Sequence, residues 1–396
     1  MAVYQMLGVP TVSITNGDGS AQAQFRNEWN WLSRFKTIIL VPDNDEACRS
    51  VVNAVGSVFP GKTKIVDLSH FKDPCEYLKN RKRELFAKEF YAAQPYSPEK
   101  IVNLYSLKDL VLQDPPEPIA DYPWSGVNAK TGGIWAGELV VLKAFPKIGK
   151  TTVSSEIAFH LNKTTDYKMG LIFLEETQRD LIVRFATMQL NKNLQRRDVF
   201  NSISSEEIAN AIDIALCEDK ISLLDHFGSC SSDFLEEKIK EFVLAKGCQF
   251  IFFDHISMAI TDETNKDERI ALDRLVAAIK SLTVGIPDMV TLPDGNGGTK
   301  QKVITREPTV FMVTHVNDDG KPRGSRAPIQ MCNTMLSLER DKSSGDTSKR
   351  NTLNVYVSEN RRLGDTGLAS VLFYDQDTGR LNEVPLDQGE GYVYDG

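Results

Sequence analysis

The sequence predicts an α/β protein whose helices cover a mostly parallel sheet, preceded by a smaller α/β unit. Three observations carry this. Apolar runs such as LVVL (139–142), QFIFF (249–253) and TVFMV (309–313) are continuous rather than alternating, as expected of strands buried on both faces. Each leads into a turn with polar or charged residues, and stretches of helical periodicity separate the earlier ones, so βα units repeat. Between residues 139 and 164 a strand, a glycine-bearing turn and a helix follow one another directly, with Val153, Ile157, Ala158 and Leu161 on one helical face.

Composition sets the outer bounds. A chain of 396 residues accommodates two domains with real cores. No run approaches a membrane span and the N-terminus lacks a charged-then-apolar leader, so a soluble, cytoplasmic protein that does not engage membranes is expected. Cys48, Cys75, Cys217, Cys230, Cys248 and Cys332 are scattered without a CxxC pair, which argues against a zinc ribbon or a disulfide framework. The net charge of −8 gives no vote on nucleic acid, because a local basic surface suffices for that.

In chain order, residues 1–95 alternate short strands and helices: GVPTVSIT, FRNEWNWLSRF, KTIILVPD, CRSVVNAVGSVF and KTKIVDL. Asp43 and Asp45 end the strand IILVPD; two carboxylates there can hold Mg²⁺, but spacing alone favours helix capping ahead of Ala47. Residues 96–121 read as a linker with one short amphipathic helix. Its stripe of Leu104, Leu107, Leu110 and Val111 packs either on its own chain or on a neighbouring subunit. Residues 122–396 form the main α/β domain, closing with a hairpin of VLFYD and RLNEV around QDTG. The polar, Gly/Pro-rich stretch 287–308 reads as a surface excursion.

The junction at 144–152 suits a triphosphate. Ala144, Phe145, Pro146, Lys147, Ile148, Gly149, Lys150, Thr151 and Thr152 approximate GxxxxGK[ST], with Ala144 where the first glycine belongs. Backbone N–H groups at the helix start favour anions, Lys150 reaches the β and γ phosphates, and Thr151 offers its hydroxyl to Mg²⁺. Asp254, closing QFIFFD, suits a second Mg²⁺-holding group, and Glu175, after GLIFL, an activator of the attacking water. His315, closing TVFMVTH, can contact the γ phosphate. Lys321, Arg323 and Arg326 in the loop that follows are candidate contacts to a phosphate backbone.

Taken in order, the 144–151 loop, LEET, FFDHIS, VTH with its basic loop, SLER, and NRRLGDTG followed by FYDQDTG resemble the hexameric replicative helicases of the bacteriophage primase-helicase type, DnaB relatives with a RecA-like P-loop NTPase core. IILVPDNDEA followed by FKDPCEYL is similar to the latter half of a TOPRIM domain, with Asp43 and Asp45 at its DxD positions and Lys72, Asp73 and Glu76 after it. A metal-binding glutamate expected upstream is lacking, so this part is expected to be a structural remnant without primase or nuclease chemistry. The resemblance implies Arg361 as an arginine finger supplied to the neighbour's nucleotide, with Arg362 as a stand-in, and Arg340 and Tyr374 as the pair that sandwiches the base. It implies Mg²⁺, ATP or dTTP as substrate, a homo-hexamer ring and 5'-to-3' movement on single-stranded DNA to unwind forked duplex. It further implies replisome polymerase and primase as partners and, if phage-encoded, the host cytoplasm as location. Two alternatives remain: a RecA-like recombination or regulatory ATPase that binds DNA without unwinding it, and an inactive structural subunit. The sequence departs from the family at Ala144 and in the length of 287–308.

Overall fold

The computed structural model describes residues 1–13, 21–43, 52, 55–59, 61–96, 104–110, 112, 114–217, 219–226, 228, 230–256, 265–293, 299–316 and 326–385. The chain forms two compact units, Met1–Pro115 and Pro116–Gly396.

The first unit has a three-stranded sheet. β1 (Ile38–Leu40) pairs in parallel with β2 (Thr63–Ile65), which pairs antiparallel with β3 (Gln94–Pro95). Its core gathers Met6, Val66, Leu68, Tyr77, Phe86 and Phe90. GVPTVSIT, expected as a strand, is irregular over its described residues 8–13. The reason is local: Gly8 ends the helix Ala2–Leu7 in the left-handed region at φ 71°, and Pro10 brings no N–H to a ladder. Helix Pro74–Lys79 starts with a reciprocal cap, Asp73 Oδ1 accepting from Glu76 N (2.9 Å) and Glu76 Oε2 accepting from Lys72 N (3.0 Å). Asp43 is exposed, and Asp45 lies outside the described residues. The linker helix is a 3₁₀ turn, Leu104–Leu110, rather than an amphipathic α-helix. Leu104 is 81% exposed and finds no cover among the described residues, Leu107 is partly buried, and the side chain of Leu110, and Val111, lie outside the described residues.

The second unit is built on a nine-stranded sheet. Its strands are β4 (Leu139–Ala144), β5 (Lys168–Phe173), β6 (Ile221–Leu223), β7 (Cys248–Asp254), β10 (Thr309–His315), β11 (Thr334–Glu339), β12 (Thr352–Asn360), β13 (Gly367–Tyr374) and β14 (Leu381–Val384), in the order β14-β13-β12-β11-β4-β10-β7-β5-β6. From β11 to β6 the pairing is parallel; β12 to β14 extend it antiparallel, and β13–β14 is the expected terminal hairpin. Both faces are covered, and successive residues of one strand enter opposite cores. Val140, Leu142, Phe252, Phe311 and Leu336 pack on one side; Leu139, Val141, Ile251, Phe253, Met312 and Met335 pack on the other. Phe252 and Phe311 stack at 4.6 Å across β7 and β10. Burial of this extent on both faces is why these strands read as unbroken apolar runs.

The stretch 287–308, expected as a surface excursion, has regular structure over its described residues. β8 (Ile286–Pro293) and β9 (Thr299–Arg306) form a separate antiparallel ribbon. β-branched residues on both arms favour extension, and the arms pair without a break from Ile286 with Arg306 to Pro293 with Thr299.

Candidate nucleotide-binding site

The carboxyl ends of β4, β10, β7 and β5 lie side by side, and β4 is flanked by β10 and β11, an arrangement that places a ligand crevice at this edge. Ala144 is the last residue of β4, 2% exposed and paired with His315 of β10 and Leu338 of β11. Its backbone does not enter the positive-φ region, so the first loop position requires no glycine here. Gly149 does: it caps helix Lys150–Thr164 at φ 111°, where a Cβ is strained whatever the space. Lys342 Nζ donates to Pro146 O (2.6 Å), fastening the loop from outside.

Four residues distant in sequence meet at this edge. Lys150 Nζ donates to Ala144 O (3.2 Å) and Phe145 O (3.0 Å) and lies 2.7 Å from His315 Nδ1. Burial draws its pKa down to about 8, opposed by the negative charges of Asp254 and Glu175. Asp254, 7% exposed, accepts a hydrogen bond from the Thr151 side chain, and its Oδ2 has no hydrogen-bond partner among the described residues. Burial pushes its carboxyl upward, against the pull of Thr151, His255 and Lys150. A hydroxyl beside a carboxylate with an unpartnered oxygen is a hard-oxygen donor set that fits Mg²⁺.

The two acids after β5 part company. Glu176 turns inward to pair with Arg184, and burial raises its pKa. Glu175 stays half exposed at the site, its Oε1 3.0 Å from His255 Nε2. His255 in turn meets the His315 ring edge-on at 4.1 Å. Sequence reasoning passed over His255, although its position directly after Asp254 was the available signal.

Beside the loop is a cleft of about 140 Å³ lined by Ile148, Thr152, Arg340, Asn351, Tyr374 and Gln376, among others. Arg340 is held by Arg350 O and by Asn351 Oδ1 (3.2 Å), which restrains its guanidinium in the wall of the same cleft as Tyr374. Arg380 ties this wall to the phosphate-loop helix: its Nε and Nη2 each lie 2.9 Å from Glu156, which is 2% exposed. Nothing in the local sequence marks that pair, since its members stand 224 positions apart.

Arg361 and Arg362 lie elsewhere. Asn360, which ends β12, pairs with Thr334 at the start of β11, and Thr334 pairs with Val140 near the start of β4. Arg361 therefore sits at the amino edge of the parallel strands, roughly 13 Å of strand length from the end of β4. It is exposed, its guanidinium donating to Gln330 O. Arg362 is bound to Glu138 (3.1 Å) and stacked on Trp135 (3.9 Å). Arg326 is exposed ahead of helix Ala327–Met331, while Lys321 and Arg323 lie outside the described residues.

A parallel sheet with a phosphate-type loop after one strand and an acid, a carboxylate and an imidazole at the ends of its neighbours defines a RecA-like P-loop NTPase core. Residues 123–290 match the family model "DnaB-like helicase C terminal domain". The chain is similar to the DNA helicase/primase of Enterobacteria phage T3, 28% identical over 398 residues that cover 96% of this chain and 67% of that protein. A solved ATPase domain superposes with a TM-score of 0.52 at 16% identity, covering 71% of this chain and 97% of that one. A DnaB-like replicative helicase, solved in a study of its interactions with primase, superposes with 0.55 at 14% identity, covering 85% and 78%. Residues 123–290 thus match a DnaB-like helicase domain, and the chain reads as an NTP-hydrolysing helicase similar in sequence to a phage helicase/primase.

Proposed function

We propose that the chain is a replicative motor that hydrolyses ATP or dTTP to move along single-stranded DNA and part a forked duplex. The observation that carries this reading is the opposition of two edges: Lys150, Glu175, Asp254 and His315 meet at one end of the sheet, and Arg361 faces outward at the other. An arginine placed so far from its own phosphate loop serves the nucleotide of a second copy, as in a homo-hexamer ring. Lys150 and the amides ahead of its helix hold the phosphates, with Arg340 and Tyr374 stacking on the base. Thr151 and Asp254 hold Mg²⁺, which when bound withdraws charge from the phosphate oxygens. Glu175, steadied by His255, orients and deprotonates the attacking water, and His315 senses the γ phosphate. Lys321, Arg323 and Arg326 grip the sugar-phosphate backbone without reading bases. Primase and polymerase of the replisome are the expected partners, in the cytoplasm of the infected host.

Strand displacement on forked DNA tests this. Unwinding that needs hydrolysable nucleotide and vanishes in Lys150→Ala is expected. DNA-stimulated hydrolysis without displacement would instead favour a recombination-type ATPase. In the first unit, where Asp73 and Glu76 are engaged in capping, no nucleotide polymerisation is proposed, and Asp43→Asn should leave unwinding unchanged.

A further inference from the structure

We propose that Glu138, Arg362 and Trp135 form a mount that aims Arg361 at a nucleotide held by a second copy of the chain, an inference that rests on the trans role of Arg361 given above. Glu138, immediately before β4, is 3% exposed. Its Oε1 accepts from Arg362 Nε (3.1 Å) and its Oε2 from Thr334 Oγ1 (3.4 Å). Arg362 lays its guanidinium over the Trp135 ring at 3.9 Å, so the edge and one face of this cation are committed within its own chain. That leaves Arg361 as the finger and removes its neighbour as a competitor for the same phosphate.

The backbone around Arg361 is fixed as well. Its N donates to Asn333 O (2.9 Å), and Asn360 Nδ2 donates to Lys130 O (2.8 Å) and Asp365 O (3.1 Å). Lys130 Nζ donates to Asp365 Oδ1 and Thr366 O, both at 2.9 Å. An arginine reaching across an interface loses rotamer and loop freedom on engagement, and a loop already held in place loses less. A plain structural filler at position 138 would not need a charge, because an apolar residue of similar volume often serves a buried site as well or better. Glu138 precedes β4 and the phosphate loop follows it, so one strand joins the mount serving one nucleotide to the loop holding the next.

The test uses the full chain and subunit mixing. Arg361→Ala comes first: wild-type turnover there would sink the trans finger, and this inference with it. Given a dead Arg361→Ala, Glu138→Gln is expected to lower DNA-stimulated turnover by about tenfold or more while nucleotide affinity stays within about twofold. Rings mixed from Glu138→Gln and Lys150→Ala chains should then recover turnover that neither shows alone, because sound loops of the first face sound fingers of the second. Arg362→Gln, on a partly exposed side chain, should behave the same way should Glu138→Gln fold poorly; Arg362→Lys, without the planar stack, should fall between. Wild-type turnover in Glu138→Gln and Arg362→Gln, or no recovery on mixing, overturns the mount and leaves Glu138 a support of its own strand.

Discussion

The two units use their carboxylates oppositely, one at a helix start and the other at a strand end. In the first unit Asp73 and Glu76, both partly exposed, each use one oxygen to accept from an amide at one helix start. In the second, Asp254 is buried at a strand end beside Thr151 and Lys150 with one oxygen unpartnered. A buried polar atom without a partner is costly unless something else completes it, so Asp254 points to a ligand where Asp73 points to a fold. Asp73 and Glu76 entered through a family resemblance and Asp254 through its place at a strand end; the hydrogen bonds separate them.

That contrast is open to attack, beginning with its strongest consequence. Asp254→Asn should reduce NTP turnover by about a thousandfold or more, read as phosphate release with and without DNA. Loss of less than about tenfold would place Asp254 with Asp73 as a structural group. Tyr374→Ala should raise KM for nucleotide by about tenfold with kcat nearly kept, since stacking on a base contributes on the order of 1–3 kcal/mol. An equal fall in kcat would move Tyr374 from base holding to the reaction. Lys150 gives a smaller, pH-borne effect. Its folded pKa, lowered to about 8, means that the ammonium is present below that pH and lost as pH rises through it. Nucleotide affinity by titration should therefore decline above about pH 8, and a decline of the same size in Lys150→Ala would assign it to another group. Last, Asp73→Ala should cost about 1 kcal/mol of stability in denaturant unfolding and leave turnover untouched.

The main sheet was legible because burial on both faces leaves unbroken apolar runs, and the site because phosphate chemistry restricts which residues may follow them. Lys150 begins a helix, Asp254 and His315 close strands and Glu175 follows one by two residues, and the parallel topology brings such ends together. What stayed hidden depended on partners far apart in the chain. Glu138 finds Arg362, and Glu156 finds Arg380, only after folding. The strand expected at 8–15 fails over its described part because a helix cap and a proline override β-branched content. The stretch 287–308 was expected only as a surface excursion; the pairing of the arms 286–293 and 299–306 was not read from it, because the glycines and polar residues between them dominate its composition.

The contact between Arg380 and Glu156 bears on how the protein can be handled. A carboxylate enclosed this fully inside the phosphate-loop helix depends for its countercharge on a residue from the terminal hairpin. Trimming the chain short of that hairpin would leave the negative charge stranded in the interior, at a cost of about 3–5 kcal/mol. The β13–β14 hairpin thus acts as the keystone of the nucleotide pocket.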